Sequence, residues 1–157
     1  MTVHLRPYHP DDCEAVVRLW YEAWHHNFPD LSHPWTYAQW RERFQDKVTA
    51  RASVWVAESA GQVIGFLVLR ESDSSLDQIF VAPALQHQGV GTLLLNKAKA
   101  LSPAGLSLDT LLRNTRARRF YEKHGFQPGW VGMNPNSGLP NIEYRWTPTP
   151  GGLKIMI

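Results

Sequence analysis

Apolar positions recur at two periods along this chain, and the switches between them divide it into elements. Residues 3–7 alternate as a short strand, after which Val16, Leu19, Trp20 and Ala23 fall at helical spacing. Asp11, with Glu14 three residues on, is close to a capping box and predicts a first helix running to about Trp24. The stretch HHNFPDLSHP breaks the pattern with two prolines. Tyr37, Trp40, Arg41 and Phe44 then give a second helix with a partly aromatic face, ending near Val48. Residues 53–58 and 62–70 are rich in β-branched and aromatic side chains and flank Ser59-Ala60-Gly61, a hairpin pattern. A fourth strand, 76–81, stops at Pro83, and a third helix, 92–101, turns Leu94, Leu95, Ala98 and Leu101 inward. A fifth strand at 105–112 carries Leu106, Leu108, Thr110 and Leu112 on one face and Ser107, Asp109 and Leu111 on the other. A fourth helix, 115–124, closes at Gly125, and two last strands near 127–133 and 141–146 flank the turn-rich NPNSG.

Length and composition narrow the classes. The 157 residues suit one domain, expected over 1–147. The tail 148–157, introduced by Pro and Gly, is expected to be disordered, exchanged onto a partner or a cloning remnant. Cys13 is the single cysteine, so no intrachain disulfide forms. No secretion signal is legible and no run reaches the ~18 apolar residues of a membrane span, so the expectation is a cytoplasmic protein without a membrane partner. A formal charge of +2 argues against nucleic acid as a partner. Arg113, Arg116, Arg118, Arg119 and Lys123 nevertheless crowd into eleven residues, four of them around one predicted helix start, where the helix dipole disfavours cations. That cluster is either a solvated helix face or a seat for an anion. His25, His26, Asp30 and His33 lack metal-ligand spacing, and no metal is expected.

The segment Gln86, His87, Gln88, Gly89, Val90, Gly91 lies between the fourth strand and the third helix. A glycine-rich turn at a helix start gathers unpaired N–H groups and the positive end of the helix dipole, which suits a phosphate. Glycine at Gly89 and Gly91 lets an anion close on the amides and permits a positive φ.

These residues, the strand before them, Asn114 and RRFYEKHGF (118–126) resemble the GNAT superfamily of acetyl-CoA-dependent N-acetyltransferases. The family's strand ends in an apolar-x-Val-x-Pro pattern followed by (Gln/Arg)-x-x-Gly-x-(Gly/Ala), and its next motif is Asn, a short gap, and Phe-Tyr-Glu-x-x-Gly-Phe. The close match covers about 76–126. A dinucleotide-binding GxGxxG order and a Walker A ending are both missing.

The resemblance implies an α+β fold: a central, mostly antiparallel mixed sheet of six to seven strands, with parallel strands 4 and 5 splaying apart, flanked by about four helices. It implies acetyl-CoA as cosubstrate and coenzyme A as product. The cofactor diphosphate would lie on the amides of Gln88 to Thr92, and the pantetheine arm against the backbone of Ile79, Phe80 and Val81. Asn114 would bind the arm's other side, with Phe120, Arg119 and the other arginines of the fourth helix near the adenosine and its phosphates. The implied reaction is direct attack by a primary amine in a ternary complex. Tyr121 is the candidate general acid, and Asp109 and Asp77 are rival bases. Trp24, His25 and Phe28, with Trp35, would form one acceptor wall; Trp130, Glu143 and Asn134 would form the other. Trp20, Trp55 and Trp146 read as core packing. The acceptor is a small-molecule or peptide amine, its aromatic walls favouring a small or partly apolar one, and the sheet edges and apolar tail are compatible with a homodimer. The alternative is a catalytically degenerate acyl-CoA-binding or regulatory module of the same fold.

Overall fold

A computed structural model of the chain describes residues 1–135 and 137–148. Apart from Pro148, the tail expected at 148–157 lies outside the described residues. The chain divides into two compact units, Met1–Ala98 and Lys99–Ile157.

In the first unit, β1 (His4–Pro7), β2 (Ser53–Ser59), β3 (Gln62–Arg70) and β4 (Ser75–Val81) pair antiparallel in that order. The β2–β3 hairpin closes on Ala60 and Gly61, whose φ of 51° and 77° are those of the two-residue turn that matches strand twist. Helix α1 (Cys13–Asn27) buries Val16, Val17, Leu19, Trp20 and Ala23, the stripe its spacing predicts. They join Trp40, Phe44, Val54, Val56, Phe66 and Val68 in one cluster, with Trp20 edge-on to Trp40 at 4.4 Å. Helix α2 (Tyr37–Arg43) opens with a capping box between Thr36 and Gln39 and continues through a π-helical turn, Phe44–Val48, and a last turn, Thr49–Arg51. Helix α3 (Val90–Leu101) lies on the other face of β3: a Cβ placed on Gly65 would meet Leu94 at 3.1 Å and Val90 at 3.3 Å.

Helix α1 does not start at Asp11. His9 caps a short 3-10 turn, Pro10–Asp12, and Asp12 reaches back to the His9 N–H at 2.8 Å. Arg6 decides this, because it holds both Asp12 oxygens, at 2.8 and 2.9 Å, and also Glu58 at 2.8 Å. The guanidinium holds the Asp12 carboxyl below the usual carboxylate range. The stabilisation is therefore complete above the unfolded-state pKa of about 3.9 and is lost as pH falls through the lowered folded value. Asp12→Ala is expected to cost about 2 kcal/mol at neutral pH, less than a fully buried pair because Arg6 is partly solvated. Urea denaturation at neutral pH and again near pH 3 checks it, since the gap to the parent should narrow in acid.

In the second unit, β5 (Leu106–Leu111) pairs antiparallel with β7 (Pro140–Trp146), which pairs with β6 (Gln127–Met133). Helix α4 (Thr115–Lys123) is tied to β7 by ring contact between Tyr121 and Tyr144 and by Arg118 Nε, which donates to the Tyr144 hydroxyl at 3.1 Å. That hydroxyl donates in turn to Glu122. Lys99 donates to the His124 carbonyl at 2.7 Å and lies 4.9 Å from the Trp146 ring, pinning the end of α4. Every residue of β6 is exposed, Trp130 at 80%. Among the described residues, no helix is long and apolar enough to cross a membrane.

Candidate active site

The glycine-rich segment stands where its sequence places it. Pairing of β4 with β3 puts Val81 opposite Gly65, Phe80 opposite Phe66 and Ile79 opposite Leu67, and all three β4 residues are half-buried. After a 3-10 turn at Pro83–Leu85, Gln86 Nε2 donates to the Val81 carbonyl at 3.3 Å and so straps the loop to the strand end. His87 and Gly89 both take positive φ, 67° and 88°, and residues 87–89 are exposed. The Gly89 carbonyl accepts from Leu93 N–H at 3.1 Å, which makes Gly89 the hinge into α3. A Cβ on Gly89 would meet nothing within 4 Å, so the space beside Gly89 is open. Helix α3 begins two residues earlier than expected. Val90 is already buried, and Gly91 and Thr92 lie in the first turn, so the positive φ anticipated for Gly91 is absent and its value is a bare helix surface.

Asn114 caps α4 in the second unit: its Oδ1 accepts from Ala117 N–H at 3.2 Å. Arg119 is exposed, and the half-buried Phe120 ring rests on Tyr121 and His124 at 5.4 and 4.6 Å. Arg118 differs from the expected phosphate-facing position. Besides Tyr144 it donates to the Leu112 carbonyl at 3.2 Å, so it braces the unit from within. Sequence gives no means of separating it from Arg119, since both sit in the same basic run. Tyr121 is 7% exposed, packed on Phe126 and Tyr144, and burial drives its phenol well above the ordinary value.

The two candidate bases differ in company. Asp77 occupies a bulge of β4 and is held by Arg70 at 3.0 Å and by Ser75 at 3.2 Å. Burial raises its pKa against the pull of Arg70. Asp109 lies directly opposite Glu143 in the β5–β7 ladder, and burial, then the Glu143 charge, raises it. Glu143 is itself gripped by Arg145 through both carboxylate oxygens, at 3.0 and 3.2 Å. Both carboxyls are thus raised, Asp77 while clamped by Arg70 and Asp109 beside the Glu143 charge.

The residues expected on the acceptor side are gathered within each unit. In the first, Trp24 contacts His25, Phe28 and His33 at 5.0, 5.3 and 4.9 Å, and Trp35 lies 4.8 Å from His33. His25 Nδ1 donates to the Tyr21 carbonyl at 2.7 Å. His26 and Asp30 are exposed. In the second unit Trp130 is exposed on β6, and Asn134 organises the β6–β7 turn by accepting from Gly138 and Ser137 N–H. Trp20 is buried as expected, whereas Trp55 and Trp146 are half-buried and each lies under a lysine, Lys97 or Lys99. Among the described residues, no three His, Cys, Asp or Glu side chains gather as a metal set. His33, which the sequence offers only as a poor metal ligand, proves to be the centre of the ring cluster. The signal for it is His-Pro-Trp, a turn dipeptide beside an aromatic residue.

The acetyltransferase (GNAT) domain matches residues 50–128 of the chain. The probable N-acetyltransferase Rv2775 of Mycobacterium tuberculosis is 29% identical over 91% of this chain and 92% of its own length. The peptidyl-lysine N-acetyltransferase YiaC of Escherichia coli is 29% identical over 84% of this chain and 88% of its own. The PaiA N-acetyltransferase of Thermoplasma acidophilum, solved in complex with coenzyme A, superimposes with a TM-score of 0.75 at 18% identity, covering 94% of this chain and all of that one, a likeness of fold. The α+β architecture anticipated from the motifs is thus the fold of the chain, which belongs to the GNAT family of N-acetyltransferases and is an acyltransferase.

Proposed function

We propose that the chain transfers the acetyl group of acetyl-CoA to a primary amine by direct attack in a ternary complex. The observation that carries this reading is the turn at Gln86–Thr92, exposed at 87–89 and with positive φ at His87 and Gly89, whose backbone amides lead into the start of α3. Those amides hold the diphosphate, Asn114 Nδ2 donates to the pantetheine arm, and Phe120 and Arg119 meet the adenosine end. The backbone of Ile79 to Val81 lines the arm. The cosubstrate supplies a thioester, an acyl group already activated toward amines. Tyr121 delivers the proton that the departing sulfur needs, and burial keeps that proton in place at every pH where the protein would act. Desolvation in the same site also raises the basicity of the departing thiolate, which offsets part of the cost of drawing a proton from so weak an acid. Asp109 takes the proton from the amine.

The acceptor is a primary amine on an aliphatic chain, and two relatives named as peptidyl-lysine N-acetyltransferases support lysine as the first to try. Trp24, His25 and Phe28 offer apolar contact to the methylenes, and Trp130 and Glu143 offer an aromatic face and a carboxylate. Purified protein with acetyl-CoA and a panel of a lysine peptide, a polyamine, an aminoglycoside and a free amino acid should release thiol in an amine-dependent way. Tight acetyl-CoA binding without thiol release from any of them would instead identify a non-catalytic acyl-CoA-binding module.

A further inference from the structure

We infer that His33, as a neutral imidazole, is the positioning residue of the tryptophan wall, and that adding a proton to it loosens the wall and weakens amine binding. The inference rests on the reading in which Trp24 and its neighbours meet the amine. Its physical basis lies wholly in the first unit.

Three indoles surround His33: Trp24 of α1 at 4.9 Å, Trp35 of the connecting loop at 4.8 Å and Trp40 of α2 at 4.6 Å between ring centroids. One imidazole therefore touches both helices and the loop joining them. Its Nδ1 accepts from the Trp35 backbone N–H at 3.1 Å. Only a bare lone pair receives an N–H, so Nδ1 carries no proton and the neutral ring holds its hydrogen on Nε2. A side-chain acceptor bonding the N–H two residues on is the geometry of an Asx turn, here spanning Pro34. Protonation would place a hydrogen on Nδ1 facing the hydrogen of Trp35. The bond would be lost and a half-buried N–H left without its acceptor.

The surroundings favour the neutral ring. His25 of α1 packs on Trp24 and Trp40, two of the same indoles, and Arg43 of α2 lies 4.6 Å over the Trp35 ring. Tyr21 and Tyr37 stand one ring further out, and Tyr37 donates to Glu14 at 2.9 Å, a carboxylate already flanked by Arg18 and Arg41. Burial first, and then the charge of His25, holds His33 below the ordinary histidine value. The indole faces attract a cation; against that stand burial, the charge of His25 and the loss of the Trp35 bond on protonation. The wall is thus firm at neutral pH and loosens as pH falls through the lowered value.

His33→Asn separates the two properties of the ring, because an asparagine oxygen accepts from the Trp35 N–H and does not titrate. Tryptophan fluorescence followed against pH without substrates should show, in the parent protein, a transition below the usual histidine pKa of about 6.5 that is missing in His33→Asn. On the acid side the parent's KM for the amine should exceed that of His33→Asn by about fivefold, with kcat and acetyl-CoA affinity alike in the two. His33→Ala should show the raised KM at every pH. A fluorescence transition that persists in His33→Asn, or identical KM profiles for the parent and His33→Asn, overturns the inference. Absence of turnover with every amine refutes acetyl transfer, while the fluorescence comparison still decides the role of His33.

Discussion

Replacement of Tyr121 by phenylalanine is expected to lower kcat by roughly 100-fold or more while leaving the Kd for acetyl-CoA within about twofold. The substitution removes one oxygen and keeps the ring that packs on Phe126 and Tyr144, so α4 should hold its place. What disappears is the proton for the leaving sulfur. Expulsion of a thiolate with no acid at hand is slower by the factor that general acid catalysis ordinarily contributes, about 10² to 10⁴. Because burial raises the phenol, its deprotonation should produce no alkaline limb in the parent protein near neutral pH. If Tyr121 serves only to anchor α4 through its ring, Tyr121→Phe will turn over like the parent and only Tyr121→Ala will be impaired. Single-turnover kinetics distinguish the two, since they read the chemical step without product release.

The elements and the binding motifs were open to reading from the sequence wherever one local rule acted alone. The stripe Val16, Leu19, Trp20, Ala23 is buried because α1 packs on a sheet, and the Ser59–Gly61 break is a hairpin in which Gly61 takes positive φ freely and Ala60 takes it at a cost. Reading failed where a distant partner chose between local options. Asp11 and Asp12 are equivalent as caps until Arg6, on β1, takes Asp12. Arg118 and Arg119 belong to one basic run, and only the position of Tyr144 on β7 turns Arg118 inward. Asp77 and Asp109 read alike in sequence as candidate bases, and their company, Arg70 beside the one and Glu143 opposite the other, comes from neighbouring strands that periodicity does not identify. His33 was visible only as a histidine without metal spacing. Its turn bond and three indole contacts need the fold of the α1–α2 connection.

Substituting valine for Gly89 is expected to raise the Kd for acetyl-CoA by about 30-fold or more, and the equivalent change at Gly61 should leave it unaltered. The two glycines make a matched pair. Both take positive φ, 88° and 77°, and a Cβ at either would meet nothing within 4 Å. A β-branched residue therefore brings similar strain to each, about 1–2 kcal/mol, and both variants should melt a few degrees below the parent. Only Gly89 belongs to the turn that leads into α3, where in the proposed reading a side chain holds the diphosphate off. Loss of one or two charge-assisted hydrogen bonds accounts for the expected factor. Calorimetric titration of both variants with coenzyme A separates strain from occlusion. Equal loss of affinity at the two positions would mean that the effect is strain alone and that the diphosphate is bound elsewhere, which would remove the basis of the proposed reaction.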